Sequence, residues 1–167
     1  MDSEGDDEAV TELSAYHEAG HAFVAIYVGA RVRSVTIAPD RDDGPARHAD
    51  IQVEWPLERC TDREFREKLV QVALAGPVAE MLYSGEPYHP GFVAEWADDW
   101  RIAWDAAAPL YADERRRLTY LEQTTSYLCG LLDRAECWAA LAAVVDNLLA
   151  HETLEGELVE GIIREWM

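Results

Sequence analysis

His17-Glu18-Ala19-Gly20-His21 sets two imidazoles and a carboxylate within about one turn of a helix. Residues four apart on a helix lie about 40° apart around its axis, so both imidazoles reach one point in space. Neutral histidine nitrogens at this spacing suit a zinc ion, and the intervening glutamate is placed to take a proton from water beside it. The implied chemistry is metal-assisted hydrolysis of a peptide bond, with His17 and His21 as ligands and Glu18 as general base. The metzincin form of the pattern is excluded. It requires glycine at position 24 and histidine at position 27, where this chain has Val24 and Tyr27. The third ligand comes from further along.

Val10, Leu13, His17, His21, Val24 and Val28 follow helical spacing and define one face, which turns the histidines toward a core. A helix is expected from about Glu8 to Val28, stopped by Gly29, with Asp6 or Asp7 as its cap. Residues 1–8 read as an acidic, disordered tail without the apolar stretch of a signal peptide, and residues 9–167 as a single domain. Arg31–Ala38 alternates as a strand, residues 40–50 form a charged loop, and Ala49–Trp55 suits a second strand. Thr61 caps a helix to about Tyr83, in which Gly76-Pro77 predicts a kink or a fresh start. Residues 84–91 form a loop. Helices follow over about Val93–Ala108, Tyr111–Leu128, Asp133–Ala150 and Glu155–Trp166. The predicted class is mainly α with a small β-sheet, built from five to six helices.

Composition narrows the partners. The formal charge is −19, from 33 acidic against 14 basic residues, which disfavours nucleic acid and anionic membrane surfaces. No apolar run approaches the roughly 20 residues that span a bilayer. Lys68 is the only lysine and there is no phosphate-binding GxxxxGK[ST] loop, so ATP is not expected. Cys60, Cys129 and Cys137 show no paired spacing and read as inert thiols in a reducing cytoplasm.

Acidic residues that could complete the site cluster after the Gly/Pro loop. Asp99 shares a helical face with Glu95, Trp96, Ile102 and Ala103. On spacing alone Asp99 binds the metal directly, or Glu95 binds it with Asp99 behind, and Asp98 lies beside both. His89 reads as a loop histidine, while His48 and His151 are weaker candidates still.

Several segments together resemble the peptidase domain of the FtsH-type AAA+ zinc metalloproteases. Ala15–Ala22 looks like that family's zinc-binding helix, and Arg31–Ile37 like the strand after it. Leu74–Glu86 is similar to its glycine-then-Ala-Glu helix. Asp98–Ala103 resembles its Asn-Asp-hydrophobic-x-x-Ala segment, and Leu148–Glu157 its Glu-Thr-Leu-x-Gly-Glu signature. The resemblance implies His17, His21 and Asp99 as zinc ligands, Glu18 as catalytic base, and Val32–Ile37 as an edge strand on which substrate is laid. The family's pattern is not followed throughout: Asp98 stands where it has Asn, Trp104 where it has Thr, and Pro77 falls within a helix usually free of proline. The family's AAA+ module and membrane anchor have no counterpart in these residues. The expectation is therefore a soluble, ATP-independent, cytoplasmic zinc endopeptidase acting on peptides or unfolded polypeptide, with homo-oligomerisation not predicted. The rival expectation is a non-catalytic zinc-containing module that binds peptide or protein.

Overall fold

The computed structural model describes residues 3–38 and 50–167. Among them run six α-helices: α1 (Ser3–Tyr27), α2 (Asp62–Ser84), α3 (Ala97–Ala107), α4 (Glu114–Leu132), α5 (Ala135–His151) and α6 (Gly156–Trp166). Three strands, β1 (Arg31–Thr36), β2 (Asp50–Glu54) and β3 (Thr153–Glu155), form an antiparallel sheet in the order β2-β1-β3. The mainly α class with a small sheet is the observed one. No described helix is long and apolar enough to cross a membrane.

The helices start and stop for local reasons. Thr61 accepts the backbone N–H of Glu64 at 3.1 Å and caps α2, as its sequence predicts. Asp113 does the same for α4 through Arg116. Asp133, expected to open α5, instead closes α4, and the cap position of α5 is Arg134. After α1, Gly29 takes a φ of 92°, which lets the Ala30 N–H return to the Ala25 carbonyl at 2.9 Å. At its other end α1 begins at Ser3, so Asp6 and Asp7 lie inside the helix rather than at its cap.

α1 packs on α2 at very close range. A side chain at Gly20 would come within 2.6 Å of the Ala75 carbonyl oxygen and 2.7 Å of the Ala79 methyl. That crossing buries Ala15, Ala19, Phe23, Val70, Leu74 and Val78 completely. It also explains why α2 runs unbroken through Pro77. The proline removes a hydrogen bond to the Ala73 carbonyl, a cost of about 3 kcal/mol. Residues 72–79 are all buried, and their packing offsets it. The outward end of α1 behaves differently: Val10 is 56% exposed, and helical spacing alone does not bury a residue.

β1 is the central strand. Ser34, Val35 and Thr36 pair with Glu155, Leu154 and Thr153 on one side, and Arg31–Thr36 pairs with β2 on the other. The edge position expected for Val32–Ile37 is thus taken by β3, a three-residue strand too short to be legible. Its start is set by Glu152, which adopts a φ of 63°, and its end by Gly156. A Cβ at Gly156 would overlap the Val32 carbonyl oxygen, so only glycine lets α6 begin against the sheet. Gly156→Ala should lower stability by roughly 1–3 kcal/mol through overpacking. Thermal unfolding should show this as a fall of several degrees in Tm; an unchanged Tm would refute the close approach.

Candidate metal centre

Asp99 enters the site on the first turn of α3 and meets both histidines of α1. Its Oδ2 lies 2.8 Å from His17 Nε2 and its Oδ1 3.5 Å from His21 Nε2; the two Nε2 atoms are 3.0 Å apart. These three ligand atoms form the cluster that could hold a metal ion. Four-coordinate zinc with bonds of about 2.0–2.1 Å sets its ligand atoms roughly 3.3–3.4 Å apart, close to these separations.

The outer face of each imidazole is committed. His17 Nδ1 donates to Glu80 Oε2 at 2.7 Å, and His21 Nδ1 donates to the Val72 carbonyl at 2.6 Å. A carbonyl can only accept, so the His21 proton resides on Nδ1 and its Nε2 presents a lone pair inward. Two ring nitrogens and a carboxylate, acceptors all, then face one another across about 3 Å. Such a group is stable only around positive charge. Burial works against an imidazolium at His17, yet hydrogen bonds to Asp99 and Glu80 overcome it and push its pKa up to about 10. Burial likewise opposes charge on His21, and the Asp99 carboxylate outweighs it. Burial alone would raise the Asp99 carboxyl; His21 and His17 hold it well below the usual carboxylate range. The same negative field that favours a proton here also favours a metal cation.

α2 supplies the support. Val72, Gly76 and Glu80 are four residues apart and form one line along the two histidines. Val72 and Glu80 orient the rings, and the Trp96 indole N–H donates to the same Glu80 oxygen. Gly76 leaves the room. A Cβ at that position would collide with His21 Nε2 and come within 2.8 Å of His17 Nε2. Gly76→Ala, a change that favours helix formation, should therefore weaken any metal binding at this cluster by about 10–100-fold, the range found for disturbed outer contacts. Metal affinity by chelator competition would test this, and wild-type affinity in the variant would refute it.

Glu18 is only 5% exposed and lies close enough to act electrostatically on both histidines. The other acidic candidates turn away. Glu95 and Asp98 are exposed, and of the face expected on α3 only Trp96, Asp99 and Ala103 point inward, Ile102 being 37% exposed. His89 is no ligand: its Nδ1 accepts the Gly91 N–H and its Nε2 faces Glu122. His151 is exposed, and His48 lies outside the described residues. Among the cysteines, burial pushes the Cys129 and Cys137 thiols up, in keeping with inert groups. Glu80, Val72, Trp96 and Gly76 carry no ligand pattern of their own, and the four-residue spacing on α2 was the only trace of them in the sequence.

Comparison of the chain with protein-family models and with curated proteins finds no match.

Proposed function

We propose that this chain is a zinc metallopeptidase that hydrolyses peptides or unfolded polypeptide without ATP. The observation that carries this reading is the convergence of His17 and His21 with Asp99, from helices far apart in sequence, beside a buried glutamate. Two imidazoles and one carboxylate suit zinc, and three protein ligands leave a fourth position open, the arrangement of a hydrolytic rather than a structural site. Bound there, zinc supplies an acidified water and polarises the scissile carbonyl.

The chain's own residues do the rest. Glu80 and the Val72 carbonyl hold the outer nitrogens of the imidazoles, so that the inner nitrogens are aimed at one point, where a metal cation would take the place of the proton. Glu18 takes the proton of the attacking water and returns it to the leaving amine. An extended substrate needs a strand edge, and β1 offers none. Among the described residues the outer edges of β2 and β3 pair with no strand, and strand addition of a substrate would use one of them. Three of the five segments that resemble FtsH-type peptidases contribute to this site and support the reading: His17 and His21 lie in Ala15–Ala22, Asp99 in Asp98–Ala103, and Gly76 and Glu80 in Leu74–Glu86. The rival reading, a non-catalytic zinc module, requires no buried glutamate at position 18, and Glu18 is there. Incubating the zinc-loaded protein with an unfolded polypeptide tests the proposal. Cleavage that stops with chelator supports it, and cleavage indifferent to chelator overturns it.

A further inference from the structure

Two adjoining stripes run along α3 and the turn that leads into it. Trp96, Asp99, Ala103 and Ala106 face inward, toward the metal centre and α2. Trp100 and Trp104 lie about 100° round the helix from Asp99 and Ala103. With His89 and Phe92 from the turn before α3, and Leu118 and Glu122 from α4, they wall an open cleft of about 470 Å³. Most of that wall is aromatic ring or aliphatic carbon. Phe92 is 87% exposed at its mouth, its ring against His89 with centroids 4.6 Å apart.

The cleft's charges are already matched from within. His89 Nδ1 accepts the Gly91 N–H, which leaves its Nε2 to Glu122 Oε2 at 3.3 Å. Arg101 pairs with Asp105 at 3.7 Å. The guanidinium of Arg117 sits 4.6 Å over the Trp104 ring, where a cationic ligand would otherwise bind. A charged guest would find no partner, whereas an aromatic guest gains ring contacts and burial. Position completes the inference. Asp99 and Trp100 are consecutive, with Cα atoms about 3.8 Å apart. An extended peptide advances about 3.3 Å per residue, so a chain that leaves the metal centre over Trp100 brings a side chain to this cleft within a few residues.

Resting on the peptidase reading above, we propose that the cleft receives a bulky aromatic side chain of the bound peptide, close to the bond to be cut. The test uses quenched-fluorescence peptides that differ only by phenylalanine or alanine at one position, walked along the sequence. At one position wild type should favour phenylalanine by tenfold or more in kcat/KM, at the low end of the roughly 10–200-fold that an apolar pocket provides. In Phe92→Ala and in Leu118→Gln, changes at exposed positions that spare the core, that ratio should fall toward one. Equal rates for both peptides, or a ratio that neither variant moves, overturns the proposal. Binding of the same peptides to the zinc-loaded Glu18→Gln protein separates the two claims. If wild type cleaves nothing, yet the phenylalanine peptide binds tenfold tighter and loses that advantage with Phe92→Ala, the peptidase reading fails and the cleft stands. Equal binding of both peptides removes the cleft as well.

Discussion

Glu18→Gln should keep its zinc and lose its activity. The amide has the shape of the carboxylate, and Glu18 is not among the three ligand atoms, so metal content stays at the wild-type level. What disappears is the base. Proton transfer by a positioned side chain contributes roughly 10²–10⁴-fold to such reactions, and hydrolysis should fall by that factor. The surroundings sharpen the expectation: the side chain is buried beside two imidazoles, where few waters could substitute for it. Zinc content and hydrolysis measured on the same preparation would check this. A variant that cleaved at the wild-type rate would remove Glu18 from the mechanism.

Asp99→Ala should abolish tight zinc binding, while Glu95→Ala and Asp98→Ala should leave it unchanged. The three carboxylates lie within five residues of one another, but only Asp99 turns inward, with one oxygen 2.8 Å from His17 and the other 3.5 Å from His21. Truncating it removes a ligand and leaves two imidazoles, so affinity should drop by more than about 100-fold, the upper end of what outer contacts contribute. Competition against a chromogenic chelator would rank all three variants. Wild-type affinity in Asp99→Ala, or a loss of equal size in Glu95→Ala, would place the third ligand elsewhere.

The cluster that could hold a metal was legible because its chemistry is written in local spacing. Two histidines a turn apart on an apolar helix point one way whatever surrounds them, and Asp99 stood out once the segment around it was compared with a known family. Spacing alone left Glu95 open, and only the register of α3 against α2 decides between them: it turns Trp96, Asp99 and Ala103 inward and leaves Glu95 in solvent. The helices were legible for a similar reason, through the Thr61 cap and the Gly29 stop. What stayed hidden depends on contacts distant in sequence. β3 spans three residues, and nothing in Thr153-Leu154-Glu155 announces a strand until Leu154 pairs with Val35. That short strand is why β1 is central. Gly76-Pro77 read as a breaker because proline's cost is local, whereas its compensation is the packing of α2 on α1. The glycine there is explained by two imidazoles more than fifty residues away in sequence.

The decisive measurement is a zinc titration of metal-stripped protein, with bound zinc and hydrolysis of an unfolded polypeptide read on the same samples. We expect hydrolysis to rise in proportion to bound zinc and to level off at one ion per chain. Zinc that saturates at one per chain while hydrolysis stays at the level of a protein-free control would contradict the peptidase reading and leave a zinc-holding binding module in its place.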